Sequence, residues 1–158
     1  MKQSLVVGVL LVLPATAWAQ HSHGYLFVAP GGISSAGHTS TSLHLGAGGE
    51  ALLVKGIGIG AELGVVGPPK NFIDGVVGAA SINGYYHFSR SGHKLDPFAT
   101  AGYTLLFREG TANLFNFGGG ANYWFIPRIG LKLEFRDHVY SPRSSEHYWG
   151  VRIGLAFR

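Results

Sequence analysis

The segment Arg128–Val139, RIGLKLEFRDHV, alternates apolar and polar residues with a period of two. One parity carries the apolar residues Ile129, Leu131, Leu133 and Phe135. The other parity consists of Gly130, Lys132, Glu134 and Arg136. Successive side chains of a β-strand point to opposite faces, whereas a helix would mix the two sets around its circumference. The segment therefore predicts a strand with one apolar face and one face of glycine and charged residues.

The same alternation recurs along most of the chain. It is clear in four further segments, namely His147–Phe157, Gly56–Val65, Ser42–Leu53 and Leu114–Phe125. It is weaker in three more, namely Gly24–Pro30, Val76–Phe88 and Pro97–Phe107. Strands of about ten residues are long enough to cross a bilayer at a tilt, so eight membrane-spanning strands are predicted.

The connections between these segments alternate in length. Three are long, namely Gly31–Thr41, Gly67–Gly75 and Tyr140–Glu146, and Arg108–Asn113 is of moderate length. Two are short, namely Val54-Lys55 and Ile126-Pro127, while Ser89–Asp96 is longer than a tight turn requires. Long loops at one end and short turns at the other are typical of outer-membrane barrels. The sequence predicts an all-β fold, an eight-stranded antiparallel up-and-down transmembrane β-barrel.

The composition indicates which face meets lipid. Only 13% of the residues are charged and 25 are glycine, so the polar parity is too poor in charge to solvate the outside of a soluble barrel. Aromatic residues cluster at strand ends, where they would form the girdles of a membrane interface. These clusters are Tyr85, Tyr86 and Phe88; Tyr123, Trp124 and Phe125; and Tyr148 and Trp149. We expect the apolar parity to face outward; a soluble, lipocalin-like barrel with an apolar cavity is the alternative.

The polar parity carries six charged residues that would meet inside the barrel. They are Glu50, Glu62, Lys132, Glu134, Arg136 and Arg152. An eight-stranded barrel has an interior just wide enough for side chains to fill, and buried charges persist only when paired. We therefore predict a neutral network of salt bridges that plugs the lumen, with solvated charges in a wide channel as the alternative.

The first 19 residues have the pattern of a cleavable secretory signal peptide. Lys2 precedes the apolar stretch Leu5–Leu13, and cleavage is predicted between Ala19 and Gln20. Residues 20–158 then form the barrel domain, whose predicted location is a bacterial outer membrane. The absence of cysteine excludes a disulfide scaffold, a cysteine-based zinc site and a thiol enzyme.

Two segments of the C-terminal half carry a family resemblance. Phe117–Trp124, FGGGANYW, and Pro127–Asp137, PRIGLKLEFRD, resemble small OmpA-like outer-membrane β-barrel domains. The resemblance implies an eight-stranded barrel inserted by the outer-membrane assembly machinery. Substrates of that machinery usually end in an aromatic residue on the lipid face. Here the C-terminal assembly signature is Val151, Ile153, Leu155 and Phe157, and Arg158 follows it.

Candidate chemistry is sparse. His138, Ser141 and Glu146 invite comparison with lipid A deacylase barrels, which use a His/Ser pair that faces the lipid. However, the spacing here is H-x-x-S rather than H-x-S, and His138 shares the inward parity of Arg136, so catalysis is not predicted. His21 and His23 are too few ligands for a closed metal site. No catalytic residue, cofactor or metal is assigned.

The predicted role is structural or interactional. A formal net charge of +4, scattered along the chain, does not indicate nucleic-acid binding. The outer loops carry Lys70, Arg143, His38 and His147, a mildly basic rim that could meet lipopolysaccharide phosphates. We expect a monomer in the lipid bilayer whose loops contact lipopolysaccharide, other cells or host surfaces, with a lipid A-modifying enzyme or a narrow pore as alternatives.

Overall fold

The computed structural model describes residues 22–35, 37–54, 56–89, 93–140 and 146–158. Eight strands account for most of them: β1 (His23–Ser35), β2 (His38–Val54), β3 (Ile57–Gly67), β4 (Val77–His87), β5 (Leu95–Phe107), β6 (Thr111–Ile126), β7 (Ile129–Tyr140) and β8 (His147–Phe157). A single-turn helix, α1 (Phe72–Gly75), lies between β3 and β4. The predicted signal peptide and its cleavage site at Ala19 and Gln20 fall outside the described residues.

The strands form a closed ring. Each strand pairs antiparallel with the next, and β1 pairs antiparallel with β8. The predicted eight-stranded up-and-down barrel is therefore confirmed. Among the described residues, no helix is long and apolar enough to cross a membrane.

The barrel has two unlike ends. The turn end holds the start of β1, the end of β8 and the connections β2–β3, β4–β5 and β6–β7. The loop end holds the other four connections, including residues 68–76 with α1. These two names are kept below.

The predicted long loop Gly31–Thr41 is wrong, because β1 and β2 extend through it. Their pairing continues to Ser35 opposite His38, and Gly37 turns the chain with φ 83°. Glycine adopts this left-handed conformation without steric cost, so a tight hairpin is possible here. The polar residues of this extension interrupt the alternation of apolar and polar residues. The predicted strands therefore ended before the observed ones. Likewise β6 begins at Thr111, within the predicted loop Arg108–Asn113.

The apolar parity faces outward, as predicted. Large apolar side chains of the wall are widely exposed, for example Leu63 at 66% and Ile82 at 64%. On the opposite parity, charged side chains such as Arg136 and Glu134 are buried. The lipocalin-like alternative, with its apolar cavity, is therefore wrong.

The predicted aromatic girdle is only partly outward. Tyr86, Phe88, Tyr123 and Phe125 are exposed, and Trp149 lies on the outward parity of β8. Three members of the same clusters are instead buried in the lumen, namely Tyr85, Trp124 and Tyr148. Adjacent residues of a strand point to opposite faces, so a run of two or three aromatics is necessarily divided between wall and lumen.

Glycines of the inward parity make room for the large lumen side chains. A Cβ added at Gly48 would lie 2.7 Å from Cζ of Tyr25 and 2.8 Å from Cγ of Glu62. At neighbouring Gly49, on the outward parity, the nearest atom to an added Cβ is 3.8 Å away. The lumen therefore requires glycine at position 48 but not at position 49.

Candidate functional site in the barrel lumen

Glu62 on β3 is the centre of the lumen at mid-height. Its Oε2 accepts hydrogen bonds from Nη1 of Arg136 at 2.9 Å and from Nη1 of Arg152 at 2.8 Å. Its Oε1 accepts from the hydroxyl of Tyr25 at 2.6 Å and from that of Tyr85 at 3.3 Å. The two hydroxyl oxygens are 3.0 Å apart. One carboxylate thus joins four side chains from β1, β4, β7 and β8, which ties opposite sides of the barrel together.

The inward residues of β7 continue this cluster toward the turn end. Nε of Arg136 donates to Oε1 of Glu134, and Nζ of Lys132 lies 3.8 Å from Oε2 of Glu134. The ammonium of Lys132 also lies 3.9 Å from the ring centroid of Phe98 and 4.7 Å from that of Tyr25. Ring faces attract a cation, so this buried ammonium is stabilised by aromatic as well as ionic contacts.

Glu50 on β2 lies apart from the other five residues of the predicted network. Its Oε1 forms a hydrogen bond with Nε2 of His87, and its Oε2 lies 3.6 Å from Nε2 of His23. Nδ1 of His87 is in turn 2.7 Å from Oδ2 of Asp96. Instead of meeting an arginine or a lysine, Glu50 belongs to a chain of histidines and carboxylates at the turn end.

The placement of Glu50 follows from glycine on the strand between it and His87. Gly58 on β3 is inward and buried, and a Cβ there would lie 2.9 Å from Oε1 of Glu50. Without that Cβ the carboxylate can reach across β3 to β4. His87 was missed in the sequence, although it shares the parity of Tyr85 and could have been found from it.

Within the described ranges, no group of three or more histidine, aspartate or glutamate side chains could hold a metal ion.

His138, the candidate base, lies in the loop half of the lumen. It is 1% exposed, its ring stacks on Tyr148 with centroids 4.7 Å apart, and its Nδ1 is 3.0 Å from the carbonyl oxygen of Tyr148. Glu146 accepts a hydrogen bond from the Ser35 hydroxyl at 3.3 Å. Ser141 lies outside the described residues. His138 therefore faces the interior, where membrane lipid does not reach it.

The residues of the C-terminal assembly signature lie on the outer wall. Val151, Ile153, Leu155 and Phe157 are 41–49% exposed, and they alternate with buried Arg152, Gly154 and Ala156. The backbone N–H of Arg158 donates to the carbonyl of Arg128 at 3.0 Å, and its guanidinium lies 3.7 Å from the ring centroid of Trp124. Arg158 thus continues the strand pairing of β8 and covers an aromatic ring at the turn end.

Solved structures with the same architecture come from several bacteria. No protein-family model matches this chain, and no curated protein matches it either. The N-terminal β-barrel domain of Pseudomonas aeruginosa OprF is 18% identical, with a TM-score of 0.59, over 85% of this chain and 97% of that one. Neisserial surface protein A is 10% identical, with a TM-score of 0.66, over 86% of this chain and 96% of that one.

A third similar structure is Ail, the attachment invasion locus protein of Yersinia pestis, in complex with the heparin analogue sucrose octasulfate. It is 10% identical, with a TM-score of 0.58, over 86% of this chain and 96% of that one. At these identities the similarity concerns the fold. The chain has the fold of the eight-stranded outer-membrane β-barrels, in agreement with its resemblance to the small OmpA-like domains.

Proposed function

We propose that this protein is an integral bacterial outer-membrane protein with a structural and surface-interaction role. The barrel acts as the anchor, and the loop end faces the outside of the cell. Two features support an anchoring role for the barrel and a contact role for the loop end. The wall is apolar, as a membrane anchor requires, and the lumen at mid-height is occupied by the buried cluster around Glu62. The segment available for contact with another molecule is then the loop end.

The observation that carries the interaction role is the exposed apolar side chain of Ile73. This residue belongs to α1 and is 86% exposed, the highest value among the exposed large apolar residues described. The segment that presents it is held in place: Nη2 of Arg108 donates to the carbonyl of Asp74 at 2.8 Å, and the N–H of Gly75 donates to the carbonyl of Asn71 at 3.1 Å. A fixed, exposed isoleucine beyond the wall is suited to apolar contact with a macromolecule.

The charges of the loop end favour such a contact over binding of a polyanion. Ail was solved with a heparin analogue, but here Lys70 and Arg108 are offset by Asp74 and Glu109 in the described loop segments. We therefore propose a partner with an apolar contact surface, such as a protein on another cell, rather than a sulfated glycan.

Cell adhesion tests this proposal. Gram-negative cells that display the protein are applied to cultured epithelial cells, and adherent bacteria are counted against cells with an empty vector. We expect adhesion above the empty vector and a severalfold loss for Ile73→Ser, because an apolar contact is removed. Ile126→Ser is the matched control, since Ile126 is 53% exposed at the turn end. Equal adhesion of wild type, Ile73→Ser and empty-vector cells would refute the interaction role.

We also propose that the assembly machinery recognises the outward residues of β8. Phe157 is the last aromatic residue on the lipid-facing parity, and from Trp149 onward its partners on that parity are all apolar. Phe157→Ser is expected to lower the fraction of folded barrel in outer-membrane fractions, as measured by heat-modifiable gel mobility. Leu26→Ser, an exposed change on β1, is the control. Equal folded fractions for both variants and wild type would exclude a special role of Phe157.

Among the described residues, no contact favours the enzyme built on His138, whose side chain is enclosed in the lumen. The narrow pore is tested by conductance in planar bilayers.

We propose a monomer as the functional form, and light scattering of the detergent-solubilised barrel tests it.

A further inference from the structure

A row of polar side chains crosses the outer wall at the loop end. It consists of Asp137 on β7, His147 on β8, Ser34 on β1 and Thr39 on β2. Asp137 and His147 lie on the parities that otherwise carry the apolar wall residues of β7 and β8. None of the four takes part in the lumen cluster around Glu62. The row therefore differs from the buried histidines and carboxylates described above.

His147 and Asp137 form a hydrogen-bonded pair in this row. Nδ1 of His147 lies 2.8 Å from Oδ2 of Asp137. The side chains are 39% and 16% exposed, so the imidazole is accessible while its carboxylate partner is partly covered. A carboxylate on Nδ1 holds the ring in the tautomer that carries its proton there, which leaves Nε2 as an available base.

Ser34 lies next to this pair on β1, the strand that closes the barrel by pairing with β8. It is the register partner of His147 in the pairing of β1 with β8. Directly opposed side chains of an antiparallel pair have Cβ atoms about 4.5–5.5 Å apart, so rotation of the Ser34 side chain about χ1 would bring its hydroxyl toward the imidazole. The Ser34 hydroxyl lies 2.9 Å from that of Thr39, which positions it on the side away from β8.

The level of the row in the membrane follows from the aromatic residues next to it. One step toward the turn end, Trp149 on β8 stacks on Phe135 of β7 with ring centroids 6.5 Å apart. The ring of Trp149 extends over Gly32 of β1, where an added Cβ would lie 3.1 Å from its Cζ2. Tryptophan concentrates where acyl chains meet headgroups, and beyond Trp149 the wall of β8 is apolar as far as Phe157. The row thus lies at the depth of the ester linkages of membrane lipids.

We propose that Ser34, His147 and Asp137 form an outward-facing catalytic triad that hydrolyses fatty-acyl esters of outer-leaflet lipids. The Ser34 oxygen attacks the ester carbonyl carbon, and its proton passes to Nε2 of His147. The carbon–oxygen bond to the lipid alcohol breaks, and the alcohol oxygen takes that proton. Water then attacks the acyl-serine through the same base, which releases the fatty acid and restores the serine hydroxyl. Asp137 stabilises the imidazolium.

Lipid hydrolysis by the full barrel in vesicles tests the triad. One set of vesicles contains phosphatidylethanolamine and phosphatidylglycerol, and a second contains the same lipids with added lipopolysaccharide. Released fatty acids and deacylated lipids are quantified by mass spectrometry, which identifies the lipid class attacked. We expect release in at least one set and, for Ser34→Ala, a loss on the order of 10⁶-fold, as found when the nucleophile of a triad is removed.

The control variant is Ser40→Ala, a serine on the same hairpin that lies opposite Ile33 rather than His147. It is expected to retain the wild-type rate, while His147→Ala and Asp137→Asn lower it. A fluorophosphonate probe gives a second readout, because it labels an activated serine and should modify Ser34 only when His147 is present. Heat-modifiable mobility checks that each variant is folded. No release by wild type in either vesicle set, or a wild-type rate for Ser34→Ala, overturns the triad.

Discussion

Glu62 and Glu50 are the same residue on neighbouring strands, both inward and both buried, yet their surroundings differ. Glu62 meets two guanidinium groups and two tyrosine hydroxyls. Among the described residues, the ion-pair partners of Glu50 are the imidazoles of His23 and His87. Arginine is always charged, whereas histidine can be neutral or charged. The lumen thus has an ionic middle held by guanidinium groups and a turn end held by imidazoles, and the two are expected to differ in their contribution to stability.

Removal of Glu62 is expected to have the largest effect. Glu62→Ala leaves Arg136 and Arg152 buried without their shared carboxylate, and breaking a buried ion pair costs about 3–5 kcal/mol. Guanidinium-induced unfolding in vesicles, followed by tryptophan fluorescence, measures the free energy of unfolding. Glu109→Ala, on an exposed loop, is the control. A loss for Glu62→Ala no greater than the control's would refute the structural importance of the ionic middle.

The glycine pair at positions 48 and 49 tests the packing around Glu62 from the backbone side. Gly48→Val forces a side chain against Tyr25 and Glu62, and overpacking of this kind costs about 2–3 kcal/mol. Gly49→Val places the same side chain on the outward parity, where the nearest atom to the added Cβ is 3.8 Å away, so the free energy of unfolding should barely change. The same unfolding experiment compares them. Equal losses would contradict the assignment of the two faces.

Removal of Glu50 should cost less than removal of Glu62. In Glu50→Ala, His87 keeps its hydrogen bond to Asp96 and can become neutral, so about 1–2 kcal/mol is expected from the lost hydrogen bond. Unfolding at neutral pH provides the value. If Glu50→Ala and Glu62→Ala lose equal stability, the distinction between the two carboxylates does not hold.

His23 should contribute least of the residues around Glu50. Its Nε2 is 3.6 Å from Oε2 of Glu50, and neither ring nitrogen has a hydrogen-bond partner among the described atoms. Its ring meets Trp124 edge-on with centroids 5.5 Å apart, a contact that phenylalanine can keep. His23→Phe is therefore expected to change the free energy of unfolding by about 0.5 kcal/mol or less. A larger loss would place His23 in the ionic chain with His87.

The outer wall of the barrel could be predicted from the sequence because the alternation of apolar and polar residues indicates which side chains face outward. From Ile129 to Arg136 in β7 and from Gly150 to Phe157 in β8, the large apolar residues all lie on one parity, so both faces followed directly. β1 is different: Tyr25 and Phe27 face inward while Leu26 and Val28 face outward, and apolar residues on both parities leave no signal of direction. The inner aromatic lining was therefore not predicted.

The sequence pattern could not predict which side chains of different strands lie next to one another. His87 meets Glu50 across a glycine of β3, and Ser34 lies opposite His147 because β1 closes on β8. Such neighbours depend on register and closure, which side-chain periodicity does not specify. Arg152 and Glu62, which are 90 residues apart, could be assigned to one lumen but not to one hydrogen bond.

The pairing of β1 with β8 makes every strand of the ring equivalent in one respect: none has a free edge. The start of β1 and the end of β8 lie side by side at the turn end, with Gly24 opposite Phe157. A short linker between them, with new chain ends opened at the Gly37 hairpin, would keep all eight pairings. Such a circular permutant should assemble into the same barrel. The pairing of β1 with β8 would then be an ordinary hairpin.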